Sequence, residues 1–159
     1  MYIRLLAIGS KMPSWVSAGY EEYAKRFPPS CKLELVEIPA EKRTKQSHIQ
    51  RLIQTEGEKL LAAVKPGNRV IALDVQGKSW STEELAVHLE GWHHEGRNVD
   101  LLIGGPDGLS PDCLKAADLK WSLSALTFPH PLVRIILSEQ LYRALTIIQG
   151  HPYHRGKDD

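Results

Sequence analysis

The chain has 159 residues, 42% of them hydrophobic and 25% charged, and a formal net charge of +1. This composition fits a soluble globular chain of one domain's size, able to bury about 70% of its unfolded surface, and excludes disordered and membrane-embedded classes. The near-neutral charge provides no whole-molecule field for steering toward nucleic acid, no apolar run approaches the roughly 18 residues that span a bilayer, and Cys31 and Cys113 lack CxxC partners, against a disulfide framework or thiolate metal site.

The apolar residues 1–8 are too short for a signal peptide and Lys11 follows without a cleavage site, so the expected compartment is the cytoplasm. Residues 3–8 predict a first strand, and residues 14–26 a helix carrying Trp15, Val16 and Tyr23, with Pro13 near its first turn and Pro28 past its end. Residues 33–38 alternate apolar and charged positions, as a half-buried strand does. A helix over 47–64 is closed by Pro66-Gly67-Asn68. Residues 69–75 (RVIALDV) predict a buried strand, and Ser81-Thr82-Glu83-Glu84 forms a capping box for a helix that runs to about His94 and stops before Gly96. A strand at 99–103 leads directly into Gly104-Gly105-Pro106-Asp107-Gly108. Ser110-Pro111 starts a short helix, and residues 120–127 predict the last strand. Strands alternating with helices predict an α/β fold with a mainly parallel sheet, in a single domain over residues 1–159.

The final helix has Pro131 at its first position and Gly150 just past its end. Its apolar residues, Leu132 to Ile148, spread over more than one stripe, so it must be buried on more than one side. A twofold dimer interface and a second helix of the same chain both satisfy that requirement.

Three constellations are candidates for chemistry. The GGPDG turn follows a strand, where α/β folds place ligand sites, and paired glycines let the backbone approach a ligand. Its spacing matches neither the dinucleotide fingerprint nor a P-loop, and such a turn also serves as a plain tight turn. Residues 121–131 (WSLSALTFPHP) end a strand in hydroxyl-bearing residues and hold His130 between two prolines, which fix an extended backbone. The tail His151-Pro152-Tyr153-His154-Arg155 has two histidines, but no complementary ligand set accompanies them and Pro152 prevents a regular helix from aligning the rings. No metal is expected. Adjacent His93 and His94 on a helix point in different directions and lead to the same reading. Lys42, Arg43 and Lys45 form a local basic patch, which as a short charge run also reads as a solvated loop.

Taken together, LLIGGPDG, WSLSALTFPHPLVR and LYRALTIIQGHPYHR, with MYIRLLAIGSKMPSWV and EIPAEKR, resemble the ribosomal RNA large subunit methyltransferase H family over essentially the whole chain. Asp107 stands where Glu is common, Phe128 where Leu is common, and residues 156–159 look like a variable extension. The resemblance implies a SPOUT fold with a C-terminal trefoil knot, a threading that no periodicity predicts. It implies a homodimer that methylates N3 of a pseudouridine in 23S rRNA within the ribosome, with S-adenosylmethionine as donor. Carried over, the cofactor contacts are Leu73, Gly104, Gly105, Leu123, Ser124, Ala125, Leu126, Thr127 and Phe128. The groups near the reacting base are His130, Tyr153, His154 and Arg155, and Lys42, Arg43 and Lys45 face RNA. Related knotted enzymes methylate ribose oxygens or transfer-RNA guanine, and a ribosome-binding module without catalysis is the reading from another class.

Overall fold

The computed structural model describes residues 1–155, so the extension at 156–159, with the basic Lys157, lies outside the described residues. Five parallel strands, β1 (Tyr2–Ile8), β2 (Lys32–Ile38), β3 (Arg69–Ser79), β4 (Val99–Ile103) and β5 (Leu119–Ser122), form one sheet in the order β2-β1-β4-β3-β5. The crossovers carry α1 (Ser14–Ala24), α2 (Ile49–Ala63), α3 (Thr82–Glu95) and α4 (Pro111–Ala116), and α5 (His130–Gln149) closes the chain before a 3-10 turn at Pro152–Arg155.

Alternate residues of each strand feed two cores because side chains alternate across a sheet. Ile3, Leu5, Ala7, Ile71, Leu101 and Ile103 pack with residues of α1, α3 and α5. Leu6, Ile8, Val70 and Leu102 pack with Leu60 of α2 and Cys113 of α4 on the other face. Burial pushes the Cys31 thiol up to about 11, leaving it an inert apolar filler. Both faces of the central strands are covered, which is why β1 and β4 are almost continuously apolar.

Local chemistry sets the helix ends. Ser81 Oγ accepts from the Glu84 amide at 3.1 Å, Ser110 Oγ accepts from Cys113 at 3.2 Å, and Gly96 and Gly150 take left-handed backbone, each at φ 71°. The two-sided burial of α5 is met within the chain: it packs between α1 and α3, with Ile135 filling the space a Cβ at Gly19 would need and Gln140 accepting from Thr82.

Two strands depart from their predicted ends. β3 runs on to Ser79 through a bulge in which Leu73 and Lys78 both pair with Trp121, so residues 74–77 bow out of the ladder. β5 stops at Ser122 instead of reaching residue 127. Ser122 Oγ donates to the Ser124 carbonyl and Ser124 Oγ accepts from the Leu126 amide, bonds that divert the backbone from the ladder.

Candidate active site

The bulge of β3, the turn after β4 and the loop after β5 meet at the carboxyl ends of their strands around a cavity of about 150 Å³. Trp121 fixes the root of the last loop, buried and stacked on Trp80 with centroids 5.3 Å apart. Of the predicted cofactor contacts, Leu73, Gly104, Gly105, Leu123, Ser124, Leu126, Thr127 and Phe128 line this one cavity although they are spread from residue 73 to residue 128. Ala125 belongs to the same loop but faces solvent and is not among the lining residues.

Sequence reasoning missed Asp74, Val75, Ile103, Gly108 and Val133, which complete the wall. Asp74 was hidden inside an apparently regular strand, and only the bulge brings it to the rim. Among the described residues its carboxylate has no hydrogen-bond or ion-pair partner. Val75 and Leu126, 62% and 68% exposed, leave an apolar rim uncovered.

The turn is built for close backbone approach. A Cβ on Gly104 would lie 2.5 Å from the Gly108 carbonyl carbon, and one on Gly105 would lie 2.9 Å from Ile8 Cγ2. The Gly108 amide donates to the Gly105 carbonyl at 3.1 Å, and Gly108 has φ 83°.

His130, on the first turn of α5, also lines the cavity. Its imidazole and the buried Arg134 guanidinium meet at Gly9, where a Cβ would lie 3.5 Å from each. Arg134 Nη1 donates to Glu37 Oε2 at 2.8 Å and Nη2 to the Gly9 carbonyl at 3.3 Å. Burial lowers the His130 pKa, helped by Arg134 and Arg43 and opposed by Glu56. The imidazole is therefore neutral at neutral pH and able to accept a proton.

The tail lies elsewhere. Tyr153 is 4% exposed, its ring 4.9 Å from that of Tyr142 and covered by the Arg143 guanidinium at 4.8 Å. Arg143 Nη1 donates to the His154 carbonyl at 3.2 Å. This differs from the expectation of a free aromatic ring near the reacting base: Tyr153 is packed against Tyr142 and Arg143 of α5, with Arg26 also over its ring. His130 and the tail sit at opposite ends of a 20-residue helix, roughly 30 Å long at the α-helical rise. Within one chain, His154 and Arg155 do not join the cavity. Nδ1 of His154 is buried without a hydrogen-bond partner.

Nor do the three basic residues form one uniform patch. Lys42 and Lys45 are exposed, whereas the Arg43 guanidinium is engaged internally by Glu56 and Asp107. A larger cleft, about 440 Å³, opens between α1 and β2 beside Tyr20, Glu37 and Arg134, but it has neither a strand-end turn nor a glycine cradle. The smaller cavity has a strand-end turn lined by Gly104, Gly105 and Gly108, and it is the candidate site.

Gly104, Gly105 and Gly108 line the cavity at the end of β4, and Leu73, Leu123 and Phe128 supply apolar walls. No group of three or more His, Cys, Asp or Glu among the described residues is placed to hold a metal. No helix among them is long and apolar enough to cross a membrane.

Residues 1–154 match the family described as "Predicted SPOUT methyltransferase". The ribosomal RNA large subunit methyltransferase H of Azotobacter vinelandii is 54% identical over 155 residues, covering 98% of this chain and 100% of its own. Among solved structures, a probable methylase family protein from Haemophilus influenzae has 14% identity and a TM-score of 0.57, over 94% of this chain and 69% of that one. TrmJ from Z. mobilis has 16% identity and a TM-score of 0.52, over 91% and 70%. At these identities the two structures show likeness of fold alone.

Proposed function

Because the chain belongs to the SPOUT methyltransferase family, we propose that it methylates N3 of a pseudouridine in 23S rRNA within the ribosome, with S-adenosylmethionine as methyl donor. The observation that carries this reading is the convergence of Leu73, Gly104 and the 123–128 loop on one cavity with a glycine cradle. The substrate follows from the relative named as a large-subunit rRNA methyltransferase and from the motif resemblance over the whole chain.

S-adenosylmethionine, when bound, supplies an already electrophilic sulfonium methyl, so the protein's task is mainly orientation. Gly104, Gly105, Leu123, Ser124, Leu126, Thr127 and Phe128, which line the cavity, would hold the donor. The free Asp74 carboxylate complements its positive charge. N3 of the target is an imide nitrogen that must lose a proton to attack, and the neutral His130 imidazole is the acceptor within the cavity.

The protein acts as a homodimer in this reading. A tail held roughly a helix length from its own cavity can serve a cavity only in a second copy, with His154 and Arg155 stabilising the developing anion there. The apolar rim at Val75 and Leu126 is a surface for such a partner to cover, and the unpartnered His154 Nδ1 is a buried group that a different contact would satisfy. The trefoil-knotted threading belongs to the same family expectation, and the cytoplasm is where the ribosomal substrate is found.

Calorimetric titration with S-adenosylmethionine and mass mapping of 23S rRNA from a deletion strain test the reading together. Binding of the donor and loss of one methyl from a pseudouridine are expected. A chain that binds no donor is a ribosome-binding module, and loss of methyl from ribose or from transfer RNA would replace the substrate.

A further inference from the structure

The loop between β2 and α2 carries Arg43 in a position no phosphate contact explains. Nη1 donates to Glu56 Oε2 at 2.8 Å and to the Glu41 carbonyl at 3.0 Å, Nη2 to Glu56 Oε1 at 3.0 Å, and Nε to Asp107 Oδ2 at 2.8 Å. Glu56 is 2% exposed on α2 and also accepts from the Glu41 amide at 3.0 Å. The planar guanidinium thus spans two carboxylates, one buried in a helix and one at the tip of the glycine turn.

That turn has little else to hold it. Gly104, Gly105 and Gly108 have no side chains, Pro106 is exposed, and the Gly108–Gly105 bond is its internal backbone tie. Among the described residues the Arg43–Asp107 pair is the side-chain tie from the turn to the rest of the fold. Gly105 itself rests near the same anchor, since a Cβ there would lie 3.7 Å from Glu56 Oε1.

We propose that Arg43 is a positioning residue that fixes the glycine turn in its donor-binding shape through Glu56 and Asp107, and that it does not read RNA phosphate. Lys42 and Lys45, exposed on either side of it, are the phosphate-facing cations of that loop. Lysine cannot replace arginine here, because a single ammonium cannot meet both Glu56 oxygens and Asp107 at once. The proposal rests on the reading of this cavity as the S-adenosylmethionine site.

The test uses the full chain with R43K and D107N, and with a K42A/K45A double variant as the contrast. Amide exchange of Gly108 in the ligand-free protein reports the shape of the turn directly. Calorimetric titration with S-adenosylmethionine reports its consequence for binding. Faster Gly108 exchange is expected in R43K and D107N, with a donor Kd raised about tenfold, the scale of one lost charge-assisted hydrogen bond. K42A/K45A keeps both wild-type values. D107N leaves the Arg43–Glu56 pair in place, so it reports on the turn even where changes at Arg43 reduce stability. Unchanged Gly108 exchange and unchanged Kd in both variants would overturn the proposal. A wild-type chain that binds no donor would refute the function proposed above, while the exchange measurement still decides the role of Arg43.

Discussion

Gly104 and Gly108 are packed so closely that a Cβ on Gly104 would sit 2.5 Å from the carbonyl carbon of Gly108 and 2.7 Å from its oxygen. Both atoms are backbone, so no side-chain rotation relieves the clash. Gly104→Ala must open the turn, and its donor affinity is expected to fall at least about tenfold in calorimetry, the effect of roughly 1.4 kcal/mol of lost fit. Gly91→Ala is the control: nothing lies within 4 Å of its Cβ position in α3. That variant should gain about 0.5–1 kcal/mol of stability and leave binding intact.

His130 makes the reaction pH-dependent with a definite sign. Its pKa is lowered by burial first and by Arg134 and Arg43 next, so the proton-accepting neutral form persists below the ordinary histidine value of about 6.5. The single-turnover rate should climb from the acid side and reach its plateau by neutral pH, with the midpoint under about 6.5. His130→Gln should cut the rate about a hundredfold and abolish that acid limb. A midpoint above neutrality, or a limb retained in the glutamine variant, assigns the proton to another group.

Lys42 and Lys45 are exposed in a chain of almost no net charge, so their effect on RNA is local. Removing both should reduce the slope of log affinity against log salt by about 1.5, from two phosphate contacts at roughly 0.7–0.9 each. Filter binding to a ribosomal RNA stem-loop across a salt series measures it. An unchanged slope returns both lysines to solvated loop.

The tail gives a complementation test. Arg155→Ala and His154→Ala should slow methyl transfer at least about a hundredfold with donor affinity kept, because neither group lies at the cavity of its own chain. Mixed dimers that combine an Arg155→Ala chain with a Gly104→Ala chain contain one site with an intact turn and an intact partner tail. They should recover about half of wild-type activity if the tail works across a twofold interface. Mixed dimers as inactive as their parents place the tail in its own subunit's reaction.

The difference between what was legible and what was not follows the range of the interactions. Apolar periodicity, the Ser81 cap and Gly150 past the last helix act within a few residues, and they placed most of the elements from the chain alone. The motif resemblance pointed to Gly104 and residues 123–128, and the fold brings Gly104 and most of that loop to one cavity. The early end of β5 was missed for a local reason: Ser122 and Ser124 bond to backbone that an apolar pattern assigns to a strand.

Sequence by itself determined an alternating α/β chain with a glycine turn at a strand end, since covalent neighbours carry that information. Tertiary structure alone decided that β4 lies between β1 and β3, and so brought the turn, the β3 bulge and the last loop to one cavity. It also decided that Arg43 serves Glu56 and Asp107, and that Tyr153 is covered by Arg143 and packed on Tyr142. The reason is physical: a charge or an aromatic ring has the same local signature in solvent and in a packed contact, and only partners distant in sequence distinguish the two.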